Sequence, residues 1–211
     1  MKYENFKNHE IRKTPGIHYR DLNRYRPYLS KDFEQRCCYC NMHEDTITSP
    51  FHIDHFIPVA VVEGKKDDLK TDYENLMWAC PKCNIAKGSK YPGEFVDTSR
   101  IENGYFYNPV ETDYNTIFFR NELGGIDSTD PKGRQMIKDL KLYRPIHNLA
   151  WLLEKLESAH ELLDKAIDSE TDPEKQAEWK EKQRRIGNYY MKMAATFKAA
   201  YKSKFPENYV E

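Results

Sequence analysis

Cys37-Cys38-Tyr39-Cys40 and Cys80-Pro81-Lys82-Cys83 are two Cys-x-x-Cys steps separated by residues 41–79, and the other residues of the 211-residue chain include no cysteine. Four thiolates close a tetrahedral zinc site, because the two-residue gap of each knuckle lets both of its sulfurs reach one ion at about 2.3 Å. A single pair would equally suit a redox dithiol; two pairs point to metal. Spacing alone leaves Cys38 open, either as a small buried hydrophobe or as a ligand together with Cys40. Zinc held by four sulfurs keeps no open coordination position. The ion is therefore expected to clasp the chain while other residues act.

Those other residues lie between and just after the knuckles: Phe51-His52-Ile53-Asp54-His55-Phe56-Ile57-Pro58, Asp72-Tyr73-Glu74-Asn75-Leu76 and Cys83-Asn84-Ile85-Ala86-Lys87-Gly88. Apolar positions 47, 51, 53, 56, 57 and 59 predict short strands and turns, and Pro81 opens a short helix, since proline suits a first helical turn. Strand alternation puts Asp54 and His55 on opposite faces, so the strand must bend or end there if both are to meet one substrate. His52 shares the face of Asp54 and is either a surface histidine or a support for Asp54 or the substrate. Lys87, one helical turn beyond Asn84, is either an exposed lysine or a phosphate contact.

This constellation resembles the HNH endonuclease family, with its ββα-metal fold, in the variant whose third signature position is Asn. The resemblance rests on Asp54-His55 with Pro58 three residues later, Asn75 within Glu-Asn-Leu, and Asn84 directly after the second knuckle with Lys87 three residues on. It covers residues 33 to 90. It implies a metal-dependent endonuclease that hydrolyses DNA phosphodiester bonds. His55 would be the general base, Asp54 and Asn84 the oxygen ligands of one catalytic Mg2+ or Mn2+, and Asn75 the residue that orients the loop or the imidazole. Cys37, Cys40, Cys80 and Cys83 would hold a structural Zn2+, with Lys82, Lys87 and Arg36 as nucleic-acid contacts. The chemistry is consistent: imidazole changes charge near physiological pH, and hard oxygens suit a hard cation that stabilises charge on phosphorus. The flanking stretches Tyr28 to Cys40 and Tyr91 to Arg144 are similar to compact HNH effectors of bacterial anti-phage systems such as Septu and some retrons. That similarity implies a defence role and an ATPase partner protein. The rival expectation is a catalytically inactive zinc-containing module that binds nucleic acid or recruits a partner.

Composition narrows the setting. Lys+Arg 33 against Asp+Glu 34 gives a formal charge of -1, which excludes a global basic excess, so any charge that meets nucleic acid must be local. No apolar run of about eighteen residues exists and the start, MKYENFKNHE, lacks the apolar stretch of a secretory signal. A cytoplasmic protein with no membrane partner is expected. Residues 1–32 form a basic N-terminal arm: positions 1–40 carry nine Lys/Arg against five Asp/Glu, and Tyr19, Tyr25 and Tyr28 are interleaved with Arg20, Arg24 and Arg26. Such an arm either reads phosphates and bases or packs its tyrosines on the body.

The expected fold class is α+β, with a zinc-clasped ββα core over 33–100 and a strand-rich extension with a short helix over 101–145. In that extension Tyr105 to Tyr107 and Thr116 to Arg120 read as strands, and Gly124-Gly125 as a tight turn. Residues 146–211 read as a helical hairpin, from apolar residues recurring at three- and four-residue steps. The hairpin is lopsided in charge: 145–174 hold eight acids and two lysines, 175–206 nine bases and two acids. The two helices are expected to satisfy each other.

Overall fold

The computed structural model describes residues 4–97 and 101–202. The first three residues of the expected arm, residues 98–100 of the expected core and the hairpin beyond 202 lie outside the described residues. The strands are β1 (Glu4–Asn5), β2 (His52–His55), β3 (Leu76–Ala79), β4 (Phe119–Arg120) and β5 (Ile126–Asp127). The α-helices are α1 (Arg26–Asp32), α2 (Val59–Val62), α3 (Pro81–Lys87), α4 (Pro131–Asp139), α5 (Pro145–Ser169) and α6 (Pro173–Lys202). The fold is mixed α+β and divides into two compact units, Met1–Tyr143 and Arg144–Glu211.

The centre of the first unit is a ββα unit. β2 and β3 pair antiparallel with His52 opposite Ala79, Ile53 opposite Trp78, Asp54 opposite Met77 and His55 opposite Leu76. All four residues of β3 are buried, which is why this strand reads as a continuous apolar run rather than an alternating one. α3 starts where Cys80 caps it: the Cys80 sulfur accepts from the Cys83 N–H, and Pro81 lies in the first turn, where its missing donor costs nothing. The helix stops at Gly88, whose φ of 54° and ψ of -139° suit a residue without Cβ, and whose N–H still reaches Asn84 O at 3.0 Å.

The basic arm does not stand apart from this unit. β1 pairs with β4, which pairs with β5, in a three-stranded antiparallel sheet. Tyr25 is fully buried, stacks on Tyr73 and donates to Thr71 O at 2.7 Å. Arg26 donates to Phe51 O at 2.8 Å with its guanidinium over the Trp78 ring, and Arg24 lies over Tyr19. The tyrosines therefore pack on the body, because burying a ring and satisfying its hydroxyl there outweighs leaving it in water. A correction concerns Tyr105 to Tyr107, which is a turn carrying a single bridge between Asn103 and Phe106 rather than a strand. Asn103 Oδ1 accepts from the Tyr105 N–H and diverts that donor from a ladder.

The second unit is the helical hairpin of α5 and α6. Glu170, Thr171 and Asp172 make the connection, and Asp172 Oδ1 accepts from Glu174 N–H at 2.9 Å just ahead of Pro173.

Candidate active site

The four knuckle sulfurs come together. Cys37, Cys40, Cys80 and Cys83 are all buried, with their sulfurs within 4.8 Å of one another. Cys40 Sγ and Cys80 Sγ are 3.9 Å apart, close to the roughly 3.8 Å edge of a tetrahedron with about 2.3 Å zinc–sulfur bonds. The donor set and its size fit a structural zinc ion. Burial pushes the Cys37 thiol up, yet hydrogen bonds from Cys38, Cys40, Cys80 and Cys83 together hold it well below the usual thiol range. Cys38 lies outside the cluster. It is 5% exposed and burial pushes its thiol well up, so it remains a neutral apolar group, while its N–H donates to Trp78 O. Arg36 Nη1 donates to Asn41 O at 2.9 Å and fastens the first knuckle turn, so this guanidinium, expected on nucleic acid, serves the clasp.

β2 ends at His55, as the two-face argument requires. The His55 ring is half-buried and its Nε2 lies 2.9 Å from Lys70 O. A carbonyl oxygen only accepts, so the ring proton is on Nε2 and Nδ1 keeps its lone pair. The Lys70 carbonyl is held indirectly by Asn75, which is fully buried. Asn75 Nδ2 donates to Ile57 O and Leu69 O, each at 3.0 Å, and Oδ1 accepts from Ile57 N–H at 2.8 Å. One amide thus pins both ends of the loop from Ile57 to Leu69. Lys13 braces the next turn by donating to Tyr73 O, Glu74 O and Leu76 O.

The other face of β2 looks toward α3. Asn84 Nδ2 is 2.9 Å from His52 Nδ1; with the amide as donor, Asn84 Oδ1 is left as an acceptor. Asp54 is only 5% exposed. Its Oδ2 accepts from Tyr39 OH at 2.6 Å and its Oδ1 from Lys87 Nζ at 3.0 Å. Burial pushes the Asp54 carboxyl up and the Lys87 ammonium and Tyr39 hydroxyl pull it back. Lys87 is fully buried and also donates to His55 O at 2.6 Å, so the expected phosphate contact at Lys87 is corrected. An ammonium out of reach of solvent serves as a counterion inside the ββα unit.

The Asp54 and Asn84 pair does not, in this arrangement, fit one divalent cation. Asn84 offers a hard oxygen, but the Asp54 carboxylate is neutralised by Lys87. The His55 ring makes no hydrogen bond to either residue. Sequence reasoning missed Tyr39, Lys13 and the link from His52 to Asn84. Only the last left a signal, since alternation puts His52 and Asp54 on one face.

Residues 37–90 match the HNH endonuclease family model. The HNH segment is 54 of the 211 residues and contains both knuckles, β2, β3 and α3. It supports nuclease function in general and implies nucleic acid as the substrate class. No curated protein and no solved structure matches the chain. Among the described residues no helix is long and apolar enough to cross a membrane.

Proposed function

We propose that the chain is an HNH endonuclease that hydrolyses DNA phosphodiester bonds with His55 as general base. The observation that carries the reading is the bond from His55 Nε2 to Lys70 O at 2.9 Å. It fixes the tautomer and the ring plane before substrate arrives, leaving Nδ1 as the acceptor for a proton from water. As that water forms its bond to phosphorus, the proton passes to Nδ1. The bond from phosphorus to the leaving oxygen then breaks, and the imidazolium can return the proton to that oxygen. Asn84, aimed by His52, offers its oxygen on the α3 side. Lys82, in the first turn of α3, is the cation proposed for a neighbouring phosphate.

HNH nucleases generally use divalent metals, so the test is a supercoiled-plasmid nicking assay run with Mg2+, with Mn2+ and with chelator. Wild-type protein is expected to nick, with the chelator lane reading whether a divalent metal is needed, and His55→Ala to lose at least about 100-fold in rate while keeping its fold and DNA affinity, as expected for removal of a general base. Cleavage by His55→Ala at the wild-type rate would remove His55 from the role.

The Asp54–Lys87 pair favours a second reading, a zinc-clasped module that binds nucleic acid without turnover. The same gel separates the two, since that module shifts DNA without nicking it under any metal. A defence role with an ATPase partner rests on the similarity of the flanking stretches alone. A pull-down from the native host that recovers no ATPase would remove it. The reading includes a cytoplasmic location, which cysteines used as a metal set rather than as disulfides support.

A further inference from the structure

Among the described residues of the second unit, buried positions lie only near the start of α5, at Ile146, His147, Ala150 and Leu153, and again at Ile167 and Phe197. From Glu154 to Ala166 and from Pro173 to Thr196 no residue is fully buried, although Leu156, Leu163, Ile186 and Tyr190 lie along the seam. A two-helix layer has no partner for its outer faces and leaves that apolar surface half wet. Met191 is 69% exposed on this surface, more than a solvated helix surface needs.

Across the seam Gln183 of α6 donates to Asp164 of α5, a bond from a neutral amide rather than an ion pair. α5 carries five Asp/Glu against two Lys, and α6 eight Lys/Arg against three Glu. The ion pairs in α6 run along the helix instead, Lys182 to Glu178 and Arg184 to Glu181. Among the described residues Glu157, Glu161 and Lys180 make no ion pair, so at these three positions the hairpin leaves its charge unmatched. A groove of about 570 Å³ brings these features together. It is lined by half-buried Leu156 and Ile186 with exposed Met191 at its rim, by Glu157 and Glu161 from α5, and by Lys180 and Arg184 from α6.

We infer that this groove face is the interface of a homodimer, covered by the same face of a second copy across a two-fold axis parallel to the helices. That operation stacks α5 on the partner's α6 at the same height. The acidic wall of each copy then meets the basic wall of the other, and the apolar floors close on each other as an isologous contact. A heterologous partner would need both charge stripes in mirrored order; a second copy has them by symmetry. The unburied part of the layer, about 25 Å by 20 Å from helix rise and diameter, offers on the order of 500 Å² per copy. Two copies reach the roughly 1,000 Å² that a specific interface requires.

The test is the solution mass of the full chain by light scattering, from roughly 1 to 100 µM. Wild-type protein is expected at twice the 25.1 kDa of the chain. Met191→Asp, at an exposed position, is expected to give the monomer mass with unchanged helical circular dichroism. Glu161→Lys or Lys180→Glu alone should each weaken the dimer about tenfold or more, and the two together should restore it, because the walls have exchanged sign. Tyr189→Asp is the control. It lines a second groove on the other side of the seam, since the helical period separates 182, 185 and 189 from 184, 187 and 191, and it should leave the mass unchanged. A monomer throughout, a dimer indifferent to Met191→Asp, dissociation by Tyr189→Asp, or no rescue by the double charge exchange would each overturn the inference.

Discussion

Lys87 is a lysine with no exposed side-chain surface, held between the Asp54 carboxylate and the His55 carbonyl. Taking either charge out of water alone is costly, so removing one partner is worse than removing both. Lys87→Met is expected to destabilise the protein by about 3–5 kcal/mol at neutral pH, read as a drop in urea midpoint. Losing the ammonium raises the Asp54 carboxyl further above its unfolded value. A carboxyl raised by folding costs stability as pH rises from its unfolded to its folded pKa and the loss is constant above that, so the deficit of Lys87→Met should shrink at acid pH. A pH-independent deficit would contradict the pair. At this scale the sequence tells half: Asp54, His55, Asn75 and Asn84 are legible from spacing and resemblance. The burial of Lys87 is not, because its i+3 spacing from Asn84 suits a surface contact and a core counterion equally. Nothing near Tyr39 announces its bond to Asp54 either, since the contact spans fifteen residues.

Among the elements, the zinc knuckles bracket β2 and β3 and fix the hairpin on which His55 ends. Cys80→Ser also removes the sulfur that caps α3. It is expected to reduce bound zinc from about one ion per chain to near none and to lower the thermal midpoint, since structural zinc contributes directly to folding. Elemental analysis and a melting curve on the same sample would check both. A titrating element lies in the N-terminal segment, where burial, then Lys7 and Arg36, push His9 down from 6.5 to about 4. Its unfolded form binds a proton throughout that window and its folded form does not. Stability is therefore complete above about pH 6.5 and falls as pH drops toward 4. His9→Gln should flatten that acid limb in urea midpoints measured across pH. Proline in the first turn made α3 legible in advance, and apolar periodicity made α5 and α6 so. α1 and the pairing of β1 with β4 were not: two-residue strands have no periodicity, and their register is set by contacts more than a hundred positions apart.

At the scale of the whole molecule the strongest charge asymmetry lies in the hairpin. A total of -1 hides a hairpin with opposite signs on its two helices, and the sequence shows the asymmetry plainly without showing what meets it. Exposed charge pairs are screened within about a Debye length. Raising salt from roughly 50 to 500 mM should therefore weaken the dimer about five- to tenfold while the apolar floors keep it from dissociating completely. Sedimentation equilibrium at both salts checks this; equal affinity would mean that the two walls do not meet.

The loop from Ile57 to Leu69 both leads to the carbonyl that holds the His55 ring and lies between the two knuckles. Its Lys65 is exposed. A tryptic nick after Lys65 would free that carbonyl and silence turnover, yet Cys37 and Cys40 would sit on one fragment and Cys80 and Cys83 on the other. The severed halves should co-elute as a single particle, riveted by the ion, and separate only when a chelator is added.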